Sequence, residues 1–190
     1  MSEKLHYIFK VCFLGQGGVG KTCLARRFCF DRYDDDTKLT IGINFYTYEL
    51  PILINGIEST VSLTIWDFGG QDQFKNLFPY YIHGTNGVFM CFSMVNMQSL
   101  LQLEWWYEQL FKYVDPKIPR IVLGTKDDLL AHGYEKSKID LLFIEQFLNK
   151  FNEKDFFRTS SKENYNVKRS FKVMTKRMLD YLDLNYDQIL

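Results

Sequence analysis

Apolar residues fall along this chain in two rhythms, and each change of rhythm marks a new element. Residues 7–14 are apolar apart from Lys10, which predicts a strand, and 21–32 then read as a helix. Residues 45–54 and 58–66 alternate, the period of strands with one buried face. Asn55-Gly56 joins them, the strongest two-residue hairpin signal, because both central positions need positive φ. Residues 88–95 form an apolar run broken only by Ser93 and 121–123 a shorter one, so both predict strands buried on two faces. Between them, 98–114 set Leu100, Leu103, Tyr107, Leu110 and Val114 at steps of three or four, a helical stripe. Residues 139–151 read as helix, 156–157 as a last strand, and 167–184 as a closing helix with Phe171, Met174, Met178 and Leu182 on one side. This order predicts an α/β fold: a mostly parallel six-stranded sheet with one antiparallel edge strand and helices on both faces. No repeat, low-complexity stretch or Pro/Gly cluster divides the chain, so residues 1–190 are expected to form one domain, in keeping with ~150 residues per domain.

Composition removes several classes of function. The chain is 46% apolar and 24% charged, near the globular average, which argues against disorder as the main state. Lys plus Arg and Asp plus Glu each number 23, so there is no excess charge for a broad nucleic-acid face, and no nucleic-acid partner is expected. No apolar run approaches the ~20 residues of a membrane span. Met1 to Lys4 lack an apolar leader, Ser2 is not the Gly that myristoylation needs, and the last residues hold no Cys for prenylation. A cytoplasmic protein without a direct lipid anchor is therefore expected, meeting membranes only through partners. The four Cys form no C-x-x-C pair; Cys12 and Cys91 read as small buried apolar residues of a reducing compartment. Asp34-Asp35-Asp36 reads as a solvated loop. His6, His83 and His132 stand apart from any nucleophile signature.

Candidate chemistry begins directly after the first strand. Residues 15–22 read Gly-Gln-Gly-Gly-Val-Gly-Lys-Thr, matching G-x-x-x-x-G-K-[ST] between a strand and a helix. A chance match is expected roughly once in a hundred chains. Gly15, Gly17, Gly18 and Gly20 allow a tight turn whose N–H groups, with those of Val19 and the residues up to Cys23, face phosphate oxygens. The helix N-terminus adds its dipole. Lys21 reaches the β- and γ-phosphates, and the Thr22 hydroxyl can hold Mg²⁺.

Three later pieces bear on the base and the reaction. Gly124-Thr125-Lys126-Asp127-Asp128 follows the strand at 121–123, where Asp128 can accept from both N1–H and the 2-amino group of guanine, donors that adenine does not pair. Thr159-Ser160-Ser161-Lys162 follows the last strand, where backbone N–H groups can hold the guanine oxygen. Trp66-Asp67-Phe68-Gly69-Gly70-Gln71 follows the hairpin: Asp67 can hold Mg²⁺ through water, Gly70 can turn its N–H to the γ-phosphate, and Gln71 can orient the attacking water.

In this order and spacing, these motifs resemble the Ras superfamily of small GTPases over roughly residues 7–182. The resemblance implies a P-loop NTPase G domain that binds GTP or GDP with Mg²⁺, hydrolyses GTP slowly and switches between the two states. Thr40-Ile41-Gly42-Ile43-Asn44-Phe45 resembles the switch I segment of Rab proteins, with Thr40 on Mg²⁺ and the γ-phosphate. By the same likeness Tyr33 lies against the guanine edge, Asp34 or Asp35 near the ribose, and Gly17 leaves room for Gln71 and a partner's arginine. Thr37-Lys38-Leu39 offers no arginine in cis, so activating and exchange proteins are implied. Phe45, Trp66 and Tyr81 match an aromatic trio that Rab proteins present to effectors; the plainer reading packs them between hairpin and switch II.

Departures place the chain outside the central Ras and Rab groups. Gly69 stands where most members have Ala, as in Arf and septum-promoting GTPases, and Thr125 replaces the usual Asn, as in Rho proteins. Thr is shorter, so its bridge to the phosphate loop is expected to be weaker. The chain is thus similar to a divergent Rab-like or septum-promoting member. A GTP-binding scaffold with negligible hydrolysis, an adenine-specific P-loop enzyme and a non-enzymatic module are the competing readings; intact Gln71 and Gly17 oppose the first, Asp128 the second and the intact loop the third.

Overall fold

The computed structural model describes residues 5–35, 38–131 and 138–190. Met1 to Lys4, Asp36, Thr37 and His132, which the sequence reading touches, lie outside the described residues. Strands β1 (His6–Leu14), β2 (Ile43–Ile54), β3 (Ile57–Phe68), β4 (Gly87–Ser93), β5 (Arg120–Thr125), β6 (Phe156–Arg158) and β7 (Gln188–Ile189) form one sheet in the order β6-β5-β4-β1-β3-β2-β7. The helices are α1 (Lys21–Phe30), α2 (Asp72–Lys75), α3 (Phe78–Tyr81), α4 (Met97–Leu101), α5 (Leu103–Tyr113), α6 (Leu141–Lys150) and α7 (Val167–Tyr181).

The two-residue period of β1 divides the core. Phe9, Val11 and Phe13 face one side, with Leu24 and Phe28 of α1 and Phe171, Met174 and Met178 of α7. Cys12 and Leu14 face the other, with Phe78 of α3, Trp106, Tyr107 and Leu110 of α5, and Ile144 and Phe147 of α6. Strands β1, β3, β4, β5 and β6 run parallel, so their carboxyl ends share one rim. The order turns at β1, with β3 on one side and β4 on the other; the crevice outside such a switch point is where open α/β sheets bind ligands.

The expected six strands become seven. β7 pairs antiparallel with β2, so β2, the one strand that runs against the others, is not the outer edge along its far half. Asp187 N–H donates to Leu53 O (2.7 Å), Leu190 N–H to Pro51 O (3.0 Å), and Gly56 N–H to Asp187 Oδ2 (2.8 Å). A two-residue strand pinned by one side chain leaves no periodic signal. The helix read over 98–114 is two segments meeting at Gln102, whose dihedrals remain helical. Helix α1 stops at Phe30, earlier than read, because Asp31 turns to φ +53°. Of the described residues, no helix is long and apolar enough to cross a membrane.

Candidate functional site

The loop between β1 and α1 turns on glycine. Gly15, Gly18 and Gly20 hold φ of +143°, +78° and +103°, and a Cβ on Gly15 would sit 2.1 Å from the Cys91 carbonyl oxygen. Lys21, the first residue of α1, folds back so that Nζ donates to Gly15 O (2.8 Å) and Gln16 O (2.9 Å). Its ammonium is buried, and that desolvation lowers its pKa while Asp67 pulls it back up.

Behind the lysine, three oxygen-bearing side chains converge. Thr22 Oγ1 donates to Asp67 Oδ2 (2.5 Å) and lies 2.7 Å from Thr40 Oγ1. Asp67 is fully buried, and its Oδ1 has no hydrogen-bond partner among the described residues. A buried, unpartnered carboxylate oxygen beside two hydroxyls is the hard-oxygen donor set that Mg²⁺ takes, so the residues fit that ion. Burial raises the Asp67 pKa; Lys21 and the Thr22, Asn44 and Thr40 side chains oppose the rise. The raised pKa means that the fold prefers the protonated acid. Stability is therefore lost as pH climbs from the ordinary carboxylate range through the raised value, and at neutral pH the ionised form is a cost. Asp67→Asn should raise the melting point of the nucleotide-free protein, by roughly 2–4 °C per kcal/mol recovered, while weakening magnesium-dependent nucleotide retention. Thermal melts with and without nucleotide and Mg²⁺ check both halves.

Two adjoining cavities run along the sheet rim. The first is lined by Gly17, Gly18, Gly20, Lys21, Thr22 and Cys23 of the turn after β1 and the start of α1, by Tyr33, Asp34, Asp35, Lys38, Leu39 and Thr40, and by Gly70, Gln71 and Lys126. The second is lined by Gly20, Cys23, Tyr33, Thr125, Lys126, Asp128, Leu129, Ser161 and Lys162. They share Gly20, Cys23, Tyr33 and Lys126, which makes one trough with a Lys21 end and an Asp128 end. Gly15, Val19, Asp67 and Ser160 line neither cavity and support the walls from behind. At the second end, buried Asp128 accepts from Ser160 Oγ (2.7 Å), which itself accepts from Glu163 N–H (3.0 Å). Thr125 Oγ1 lies 2.5 Å from Val19 O and 2.8 Å from Phe92 O, so the shorter side chain does span the gap to the phosphate loop. One hydroxyl proton is shared between these carbonyls, where an Asn amide would bring two. Tyr33 has its pKa pushed up to about 12, first by burial and then by hydrogen bonding to Asp35.

The segments that the sequence reading assigns to switching touch each other. Gly69 N–H donates to Gly42 O (2.8 Å). Gly70 presses so closely on the loop that a Cβ would meet Gln16 C, Gly15 O and Gly17 N at 2.3 Å. Gln71 packs its Cγ 3.4 Å from the place of a Gly17 Cβ, and its Oε1 accepts from Gln73 Nε2 (3.1 Å).

The Ras family model matches residues 10–180 of this chain. The chain belongs to the Ras family. Members of that family are GTPases, and this chain is a GTP-binding regulatory GTPase. It is 28% identical over 187 residues to "GTP-binding protein ypt1" of Schizosaccharomyces pombe, covering 97% of this chain and 87% of that protein. It is likewise 28% identical over 182 residues to "Ras-related protein Rab-1A" of Dictyostelium discoideum (96% and 86% covered). With "Ras-related protein RABD2b" of Arabidopsis thaliana it shares 29% over 178 residues (92% and 82%). The likeness is thus to Rab-type members of the family.

The aromatic trio of this GTPase forms one chain of rings. Phe45 and Trp66 meet edge to face at 4.6 Å, and Trp66 and Tyr81 lie 6.0 Å apart. Phe45 is 59% exposed and Tyr81 40%. Lys10 holds the cluster from below: Nζ sits 3.7 Å from the Trp66 ring centre and donates to the carbonyls of Tyr81 and His83. Packing and exposure therefore coexist in the same rings. Trp106 is buried in the core, while Trp105 lies edge-on to it under Lys75. His6 bonds Ser62 Oγ (2.7 Å), a structural contact. The sequence reading missed Arg27, whose guanidinium binds the carbonyls of Ser161 and Lys162; its partners lie 134 and 135 residues away, and no local pattern announces them.

Proposed function

We propose that the protein is one G domain over residues 1–190 that binds GTP or GDP with Mg²⁺, hydrolyses GTP in-line and signals through residues 40–45 and 66–81. The observation that carries this reading is the buried Thr22–Asp67–Thr40 oxygen cluster with its unpartnered Asp67 Oδ1, set one residue from Lys21. Thr22, Thr40 and Asp67 would hold the ion, which supplies charge neutralisation on the phosphates when bound.

Every other part of the work falls to protein groups. The loop N–H groups and the Lys21 ammonium hold the β- and γ-phosphates and meet the charge that develops on them. The carbonyls of Gly15 and Gln16 hold Lys21 in place for this. Asp128 takes the guanine N1–H and 2-amino donors; the N–H groups around Ser160, Ser161 and Lys162 take its oxygen; Lys126 and Tyr33 cover the base and Thr125 ties its strand to the loop. The Gln71 carboxamide exchanges its contact with Gln73 for the attacking water and aligns it. Loss of the γ-phosphate frees Thr40 and Gly70, and the segments that carry them relax. Because Gly42 and Gly69 are hydrogen-bonded, the two segments respond together. The exposed Phe45 and Tyr81 beside Trp66 offer rigid aromatic area to an effector. With no arginine lining the trough among the described residues, slow intrinsic turnover awaits an activating partner's cation, and exchange proteins reload the site. A cytoplasmic protein that meets membranes through its partners completes the reading.

Gln71→Leu tests the catalytic assignment. It should keep GDP affinity and lower single-turnover GTP hydrolysis at least tenfold, as expected when a positioned polar group is lost from the reacting centre. Hydrolysis at the wild-type rate, alone and with an activator, sinks the assignment.

A further inference from the structure

We propose that Arg27 is the positioning residue that fastens the base-binding loop to the helix carrying the phosphate-binding end. Arg27 lies on α1, six residues beyond Lys21, and is mostly buried, with 15% of its side chain exposed. Its Nε donates to Ser161 O (2.6 Å) and its Nη2 to Lys162 O (3.2 Å). Its Nη1 donates to Asp31 O (2.9 Å) and to Asp31 Oδ1 (3.1 Å). Asp31 is the left-handed residue that ends α1, and Asn164 Nδ2 binds the same carboxylate oxygen (3.2 Å) from the far side of the loop. A rigid guanidinium fork is thus locked between the end of one helix and two successive carbonyls of residues 161–162.

Peptide planarity turns this clamp into a device for the ligand. A carbonyl and the following N–H point to opposite sides of their plane. Holding Ser161 O toward Arg27 therefore fixes the direction of the Lys162 N–H, and Ser161 and Lys162 both line the base end of the trough. One straight helix, roughly 15 Å long, then sets the distance between Lys21 and Thr22 at one end and the acceptor-binding N–H groups of the base loop at the other. Arg27 touches neither substrate nor reacting atoms. Its effect is to pre-order a loop that would otherwise be ordered by the nucleotide itself, which raises affinity by cutting that cost.

The inference rests on the guanine reading, so its test varies the base as well as the protein. GDP and 6-thioguanosine diphosphate offer Asp128 the same two donors, but the second carries sulfur, a poor acceptor, where the loop meets oxygen. Release of each from purified wild-type, Arg27→Met and Arg27→Lys protein is followed after addition of excess unlabelled nucleotide. Wild type should release the thio analogue faster than GDP. Arg27→Met should release GDP about tenfold faster than wild type, equivalent to ~1.4 kcal/mol, and should release the two nucleotides at nearly equal rates, because the loop no longer holds the oxygen. Arg27→Lys, one point charge in place of a fork, should fall between. Should Arg27→Met fail to fold, Asp31→Ala, which frees the guanidinium without emptying the site, should show the same pattern at smaller size. GDP release within twofold of wild type overturns the inference. So does equal acceleration of both nucleotides, which marks a general structural role. A wild-type protein that retains no guanine nucleotide overturns the guanine reading, and this inference with it.

Discussion

Asp128→Asn should exchange the base that this protein prefers. Asp128 is buried and already accepts from Ser160 Oγ at 2.7 Å, so its position is fixed before any ligand arrives. A carboxylate there offers acceptors only and suits guanine, whose N1–H and 2-amino group are both donors. An Asn can keep the Ser160 contact and the N1–H contact on Oδ1, but it brings a donor to the place of the 2-amino group. Two donors then face each other, and GDP affinity should fall by about 10²–10⁴-fold, the range for leaving buried polar groups mismatched in a site built to pair them. Xanthine carries a carbonyl at that place, so xanthosine diphosphate should bind the variant more tightly than GDP does. Competition between the two nucleotides for wild type and variant reads the exchange directly. A variant that still prefers GDP contradicts the assignment of the base end.

Lys21→Met should all but abolish nucleotide binding while leaving a folded protein. The ammonium is buried and its pKa is lowered by that burial, so the charge is a cost to the fold at neutral pH. A Met of similar reach removes the cost and forfeits the contacts to Gly15 O and Gln16 O. The melting point of nucleotide-free protein should therefore move little. The phosphates, however, lose a charge aimed at their β and γ oxygens, and breaking such a buried pair is worth about 3–5 kcal/mol, or about 10²–10⁴ in affinity. Wild type should gain melting temperature with added GDP and Mg²⁺, and the variant should gain almost none. An equal gain in both would remove Lys21 from the phosphate site.

The parts of this molecule that were legible in its sequence are those fixed by local chemistry. Gly15, Gly18 and Gly20 could be read because the turn demands positive φ, and Asn55-Gly56 because its hairpin does. The near-continuous apolar run of β1 could be read as a strand because each face of the sheet has its own core. The clustering of Thr22, Thr40 and Asp67 followed from three motifs that each carried a family resemblance. What was not legible depends on distant partners. β7 exists because Asp187 reaches the Gly56 N–H across the chain, and two residues cannot show a period. Gln102 interrupts a helix without interrupting its apolar stripe, so 98–114 read as one. The bridge made by Thr125 was expected to be weaker because Thr is shorter than Asn; what its length could not show is how closely Val19 O approaches β5. Arg27 carries no local signal, because its partners at residues 161–162 are distant in the chain.

The most direct test of the account is to purify the protein from cells, denature it and chromatograph whatever nucleotide is released. One equivalent of GDP is the predicted result, since a trough that sorts guanine by Asp128 and holds phosphates by Lys21 should retain its product. A bound adenine nucleotide, or an empty site that GTP with Mg²⁺ does not refill, would contradict it.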